Sequence, residues 1–231
     1  MSTGLMVDSQ NQLQEFRDTG LPKQPAALRI IATMFSYIFH PLFVPVYISW
    51  FLVSVQPYLF ASFTIPEKMI VVIRFFVLYS FFPLVTVLLL KALGFIKSIQ
   101  LKTQKERIIP YIACGLYYFW MWYVLRNQLE FPKLVVVLAF AIFFASSMAL
   151  MANIYMKVSM HAISMGVMVA FIFLLAFNQG IPFGIYISAA LLIAGLVCTA
   201  RFIVSDHTPK EVYTGLALGI TAELLANWWM G

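Results

Sequence analysis

Two stretches of this chain, from Ile30 to Pro66 and from Val158 to Ala200, contain no Asp, Glu, Lys or Arg. Each is well beyond the roughly 20 apolar residues that cross the hydrocarbon core of a bilayer, so each can hold more than one crossing. The remainder agrees: of 231 residues, 62% are hydrophobic and only 10% charged, which leaves too few polar side chains for a surface facing water. The sequence therefore predicts an all-α, polytopic transmembrane helix bundle and excludes a soluble domain.

Charge, Pro and Gly punctuate the chain into about six to seven spans, drawn at approximately 28–54, 68–95, 109–125, 133–154, 158–177, 183–203 and 209–230. Pro41 and Pro45 are expected to kink the first span and Pro83 the second, which is tolerated where neighbouring helices satisfy the freed carbonyls. Residues 1–27 read as a polar, loosely ordered N-terminal tail without the layout of a secretory signal, and 28–231 as a single transmembrane domain. Cys114 and Cys198 lie inside apolar segments and read as packing residues. The net charge of +6, with no nucleic-acid motif, points to anionic lipid headgroups or phosphorylated ligands as partners.

The polar residues gather in three clusters: Lys97 to Pro110, Lys157 to His161, and Arg201 to Glu211. Two spans separate the first cluster from the second and two more separate the second from the third, so parity puts all three on one membrane face. Most cations lie on that face, against Lys68, Arg74, Arg126 and Lys133 on the other. The positive-inside rule then directs the clustered face and the N-terminus to the cytoplasm, as in a bacterial inner membrane.

In the third cluster, Glu211 falls in the first turn of a helix beginning near Pro209, within reach of His207 just outside it. An acid so placed fixes the tautomer of an imidazole nucleophile or base. Thr208-Pro209-Lys210-Glu211 is equally a capping box with Pro at the first helical position, which would account for Glu211 without chemistry. In the second cluster, Lys157, Ser159 and His161 stand where a long apolar helix begins, and its free N–H groups suit phosphate. The plain alternative is Ser159 as an N-cap and His161 as an interfacial polar residue. The first cluster, with Lys102, Lys105 and Arg107, is a dense basic loop leading into a span, a pattern that juxtamembrane topology alone explains. Together the clusters supply a nucleophile, its orienting acid, a leaving-group acid and a charge clamp, a full set for phosphoryl transfer. No acidic or thiolate cluster with metal-ligand spacing accompanies them, so a metal-independent mechanism with no cofactor is expected.

Arg201, His207 and Glu211, preceded by Ser159 and His161 and by Lys102 and Pro110, resemble the type 2 phosphatidic acid phosphatase superfamily, related to vanadium haloperoxidases. Its three ordered motifs are K-x6-R-P, P-S-G-H and S-R-x5-H-x3-D. Here Glu211 stands for the Asp, Ala200 for the Ser, Val158 for the Pro and Met160 for the Gly. Ile109 replaces the motif Arg, and the guanidinium is found at Arg107. The resemblance covers about residues 97 to 220. It implies that His207 attacks phosphorus to form a phosphohistidine, that Glu211 orients it, and that His161 protonates the departing alkoxide. It further implies that Arg201, Arg107, Lys102 or Lys105, and Ser159 hold the phosphoryl oxygens, and that the substrate is a phosphorylated lipid entering from the bilayer.

The departures from the motifs leave a second function open, a catalytically degenerate member of the same fold that binds anionic lipid or acts as a scaffold. A transporter of anionic solutes is a third, disfavoured because the chain lacks paired inverted halves. His40, Asn153, Glu223 and Asn227 are further polar residues within spans, and Glu223 lies about 18 Å along its helix from Glu211, too far to join the same site.

Overall fold

The computed structural model describes residues 3–7, 13–17, 24–101, 103–178, 183–204 and 207–230. In the N-terminal segment, β1 (Thr3–Val7) and β2 (Leu13–Arg17) pair antiparallel, with Thr3 opposite Arg17 and Val7 opposite Leu13. The tail drawn at residues 1–27 thus includes a short hairpin. From Ala26 onward the described chain is helical, an all-α bundle.

The first expected span, 28–54, is instead two helices, α1 (Ala26–Ile38) and α2 (Val44–Val55). Pro41 lacks an N–H and disfavours helical backbone at His40, and this breaks the helix where a kink was expected. Pro45 sits in the first turn of α2, where no donor is lost. Backbone groups freed at the break are recovered locally. Tyr47 donates its hydroxyl to the Ile38 carbonyl at 2.9 Å, Ser80 donates to the Leu42 carbonyl at 2.7 Å, and Leu42 N–H donates to His40 Nδ1 at 3.3 Å.

Among the described residues five helical stretches are long and apolar enough to cross a membrane: Ile65–Ala92, Gln104–Arg126, Lys133–Ala152, Met160–Phe177 and Gly184–Ile203. The first consists of α3 (Ile65–Phe76) and α4 (Phe82–Ala92), joined through a π-helical turn at Val77–Phe81 that accommodates Pro83. The others are α5 (Gln104–Arg126), α6 (Lys133–Ala152), α7 (Met160–Asn178) and α8 (Gly184–Ile203). Their outward faces carry Ile73, Leu116, Ile185 and Leu192, each more than half exposed, a surface suited to lipid and not to water. The protein is a membrane protein on this architecture.

The last helix, α9 (Pro209–Met230), has the length of a span but is less apolar, because Gly215, Gly219, Glu223 and Asn227 interrupt it. It lies against α6 and α7 in the interior. Small residues set that packing: Gly215 and Gly219 on α9 face Ala162 and Gly166 on α7, four residues apart on each helix. A Cβ at Gly219 would sit 2.1 Å from the Ile163 carbonyl oxygen and 3.0 Å from Gly166 Cα. One at Gly215 would sit 2.8 Å from the Ser159 carbonyl oxygen. Without side chains the backbones approach closely, as expected where van der Waals packing and not hydrophobic exclusion drives helix association in lipid. The register also matters: α7 and α9 start together, so Ser159 and Glu211 meet.

Candidate functional site

Glu211 stands in the first turn of α9 and does two jobs with one oxygen. Its Oε2 lies 3.1 Å from His207 Nδ1 and accepts the Thr208 N–H at 3.1 Å, while Thr208 Oγ1 accepts the Glu211 N–H at 3.3 Å. The capping box and the oriented imidazole, weighed as alternatives from the sequence, coexist in one geometry. A carboxylate only accepts, so Nδ1 is the protonated ring nitrogen and Nε2 carries the lone pair. His207 and Glu211 are each only 3% exposed.

The His207 imidazole is held below its ordinary 6.5, chiefly by burial. Its bond to Glu211 opposes that shift, while the charges of Arg107, Lys157 and Arg201 reinforce it. At neutral pH the ring is therefore uncharged, the form a nucleophile or general base needs. The same three cations leave the surroundings positive overall, which favours an anion beside Nε2.

The remaining cluster residues reach this pair through backbone and side chains. Ser159 N–H donates to the Glu211 carbonyl at 3.2 Å, and Ser159 Oγ caps α7 by accepting from Ala162 N–H at 3.4 Å. Arg107, 4% exposed, donates from Nε to the Leu101 carbonyl at 3.0 Å and from Nη1 to the Val158 carbonyl at 2.7 Å. Arg201, near the end of α8, donates from Nη1 to Ser36 Oγ at 3.2 Å, and His161 Nε2 donates to the Ser36 carbonyl at 3.0 Å. The ring of His40 meets that of His161 edge to face, with centroids 5.3 Å apart. Packing of α1 on α8 brings Ser36 to Arg201, so the break after α1 contributes to the site.

No family model, curated protein or solved structure matches the chain.

Of the residues expected from the sequence, His207, Glu211, Ser159, Arg107, Arg201 and His161 converge on one end of the bundle. Lys105 does not: it is exposed on α5, two residues before Arg107 and so on the opposite side of the helix. Lys102 lies outside the described residues. The first cluster is only partly a loop. Thr103 accepts the Glu106 N–H at 3.3 Å while Glu106 accepts the Thr103 N–H at 3.2 Å, a capping box that starts α5 at Gln104 and puts Arg107 on the helix. Ser36 and His40 were not among the expected site residues, whereas Lys157, expected beside Ser159 and His161, acts on His207 through its charge. His40 stood out as an ionisable residue inside a span; a serine in an apolar helix, such as Ser36, carries no comparable signal.

Among the described residues no three His, Cys, Asp or Glu side chains converge to hold a metal ion. Glu223, fully buried with neither carboxyl oxygen hydrogen-bonded to a described residue, lies deep on α9 away from this end.

Proposed function

We propose that the protein is a membrane-embedded lipid phosphatase that hydrolyses a phosphomonoester or pyrophosphate of a lipid through a phosphohistidine. The observation that carries the reading is the buried His207–Glu211 pair, which leaves Nε2 unprotonated in a field of three cations. The ordered resemblance to the type 2 phosphatidic acid phosphatases supports it. In the first step the Nε2 lone pair attacks phosphorus, the bond from phosphorus to the lipid oxygen breaks, and the departing alkoxide takes a proton from His161. Because Nε2 of His161 already donates to Ser36, that proton is delivered from Nδ1 of the imidazolium. In the second step His161 accepts a proton from water as it attacks the phosphohistidine, releasing phosphate and restoring His207. Arg201, Arg107, Lys157 and Ser159 favour the negative charge throughout.

On this reading the excess of Lys and Arg at the clustered end turns the site toward the cytoplasm of an inner membrane. One observation favours the second function, an anionic-lipid binder without turnover: two guanidinium nitrogens of Arg107 are engaged by the carbonyls of Leu101 and Val158. The deciding experiment is phosphate release from a panel of lipid phosphates in detergent with chelator present, with and without vanadate. Turnover inhibited by vanadate and lost in His207→Ala supports the phosphatase. Binding of those lipids without release supports the binder.

A further inference from the structure

On the membrane face opposite His207, α3 and the α5–α6 connection line an open cavity of about 290 Å³ whose walls include Ser62, Phe63, Glu67, Arg74, Glu130 and Phe131. Charges of both signs share it without neutralising one another. Arg74 donates from Nη1 to the neutral amide oxygen of Gln128 at 3.0 Å, and its guanidinium carbon lies 5.6 Å over the ring of Phe131. Glu67 is held by neutral partners too: its Oε2 accepts the N–H and the hydroxyl of Thr64, both at 2.7 Å, in the capping box of α3. Glu130 forms no hydrogen bond or ion pair with another described residue, and neither carboxylate pairs with Arg74. Phe63 packs edge to face on Phe131 at 5.3 Å and completes an aromatic wall.

Arg74 and Glu67 are each positioned by uncharged groups and not by each other, and the exposed carboxylate of Glu130 stands at the same cavity. Such an arrangement is organised in advance for a ligand that brings both charges. We propose that the cavity binds the headgroup of a zwitterionic phospholipid of the phosphoethanolamine class, with phosphate on Arg74 and the primary ammonium between Glu67 and Glu130. A guanidinium is suited to phosphate oxygens. Two carboxylates call for N–H donors, which an ethanolamine ammonium has and a trimethylammonium lacks. A lipid is favoured over a free zwitterion because Ile65, Met69, Ile70 and Ile73 on α3 are exposed beside the cavity, an apolar strip along which acyl chains can lie. This site is independent of the phosphatase reading.

The test is native mass spectrometry of the full-length protein in detergent, titrated with lysophosphatidylethanolamine, lysophosphatidylcholine and lysophosphatidylglycerol. The ethanolamine lipid is expected to bind about tenfold tighter than the other two, the scale of one charge-assisted hydrogen bond. Arg74→Gln and the double variant Glu67→Gln/Glu130→Gln should each abolish that preference. Gln at position 67 still completes the capping box, so the double variant keeps its fold. His207→Ala should leave the preference intact. Equal binding of the three lipids would overturn the proposal, as would loss in Arg74→Gln with no change in the double Glu variant, which describes a simple anion site. Soluble O-phosphoethanolamine matching the affinity of the lysolipid would overturn the lipid assignment.

Discussion

Replacing Gly219 with Ala tests how α9 is held against α7. The added methyl would lie 2.1 Å from the Ile163 carbonyl oxygen, 2.9 Å from Val167 N and 3.0 Å from Gly166 Cα. All three are backbone atoms, which cannot swing aside as a side chain does. Reaching the 3.4 Å of ordinary contact from 2.1 Å requires a local separation of about 1.3 Å. Overpacking of this kind costs about 1–3 kcal/mol, and the backbone obstruction places Gly219→Ala at about 3. For a chain of this size that corresponds to a fall of roughly 6–12 °C in the midpoint of thermal unfolding. Gly195 on α8 is the control: a Cβ there meets nothing within 4 Å, so Gly195→Ala should be neutral or stabilising by roughly 0.5–1 kcal/mol. The same displacement would shift Glu211 relative to Ser159, and a misplacement of about 1 Å at a catalytic site costs on the order of 100-fold in rate. Thermal unfolding of the purified variants in detergent decides the matter. A Gly219→Ala midpoint within 2 °C of the Gly195→Ala control, with ~2 °C being the smallest shift expected for 1 kcal/mol, would refute the packing argument.

Three further outcomes are expected. Glu223→Met should raise stability by about 1–3 kcal/mol, because it removes a fully buried carboxyl group whose oxygens have no hydrogen-bond partner among the described residues; an equal loss of stability would show that the acid has a role in the fold. Arg107→Met should cost about 3 kcal/mol by stranding the Leu101 and Val158 carbonyls, and unchanged thermal stability would show those bonds to be unimportant. Burial holds folded His207 below 6.5, so the unfolded chain takes up that proton first as pH falls. Its contribution to stability is then full above pH 6.5 and is lost as pH drops toward the folded value, and the acid limb of kcat/KM assigned to His207 should lie below pH 6.5; a limb centred at or above that pH would contradict the burial argument.

The spans from α6 to α8 were legible because uninterrupted apolar runs bounded by Pro, Gly or charge admit few other readings, and their observed ends fall close to those drawn. The first span was misjudged: periodicity could not say whether Pro41 bends a helix or ends it, since the answer depends on Tyr47 and Ser80 arriving to take the Ile38 and Leu42 carbonyls. The start of α5 is legible too, because Thr103-Gln-Lys-Glu106 is a capping box set in a basic run. At the site, spacing alone revealed His207 and Glu211, since an i,i+4 relation across a helix start is local. Ser36 was not legible: it meets Arg201 at a separation of 165 residues, through the packing of α1 on α8. Lys105 shows the converse, where proximity in sequence to Arg107 said nothing about direction once both stood on a helix.

The central claim is that Nε2 of His207 attacks phosphorus, and trapping the covalent intermediate tests it most directly. Rapid acid-free quenching of the full-length protein with a lipid phosphate labelled on phosphorus should give a transient, base-stable phosphohistidine at His207. It should be absent in His207→Ala. Release of phosphate from the same lipid with no label ever carried by His207, or with release undiminished in His207→Ala, would contradict the account.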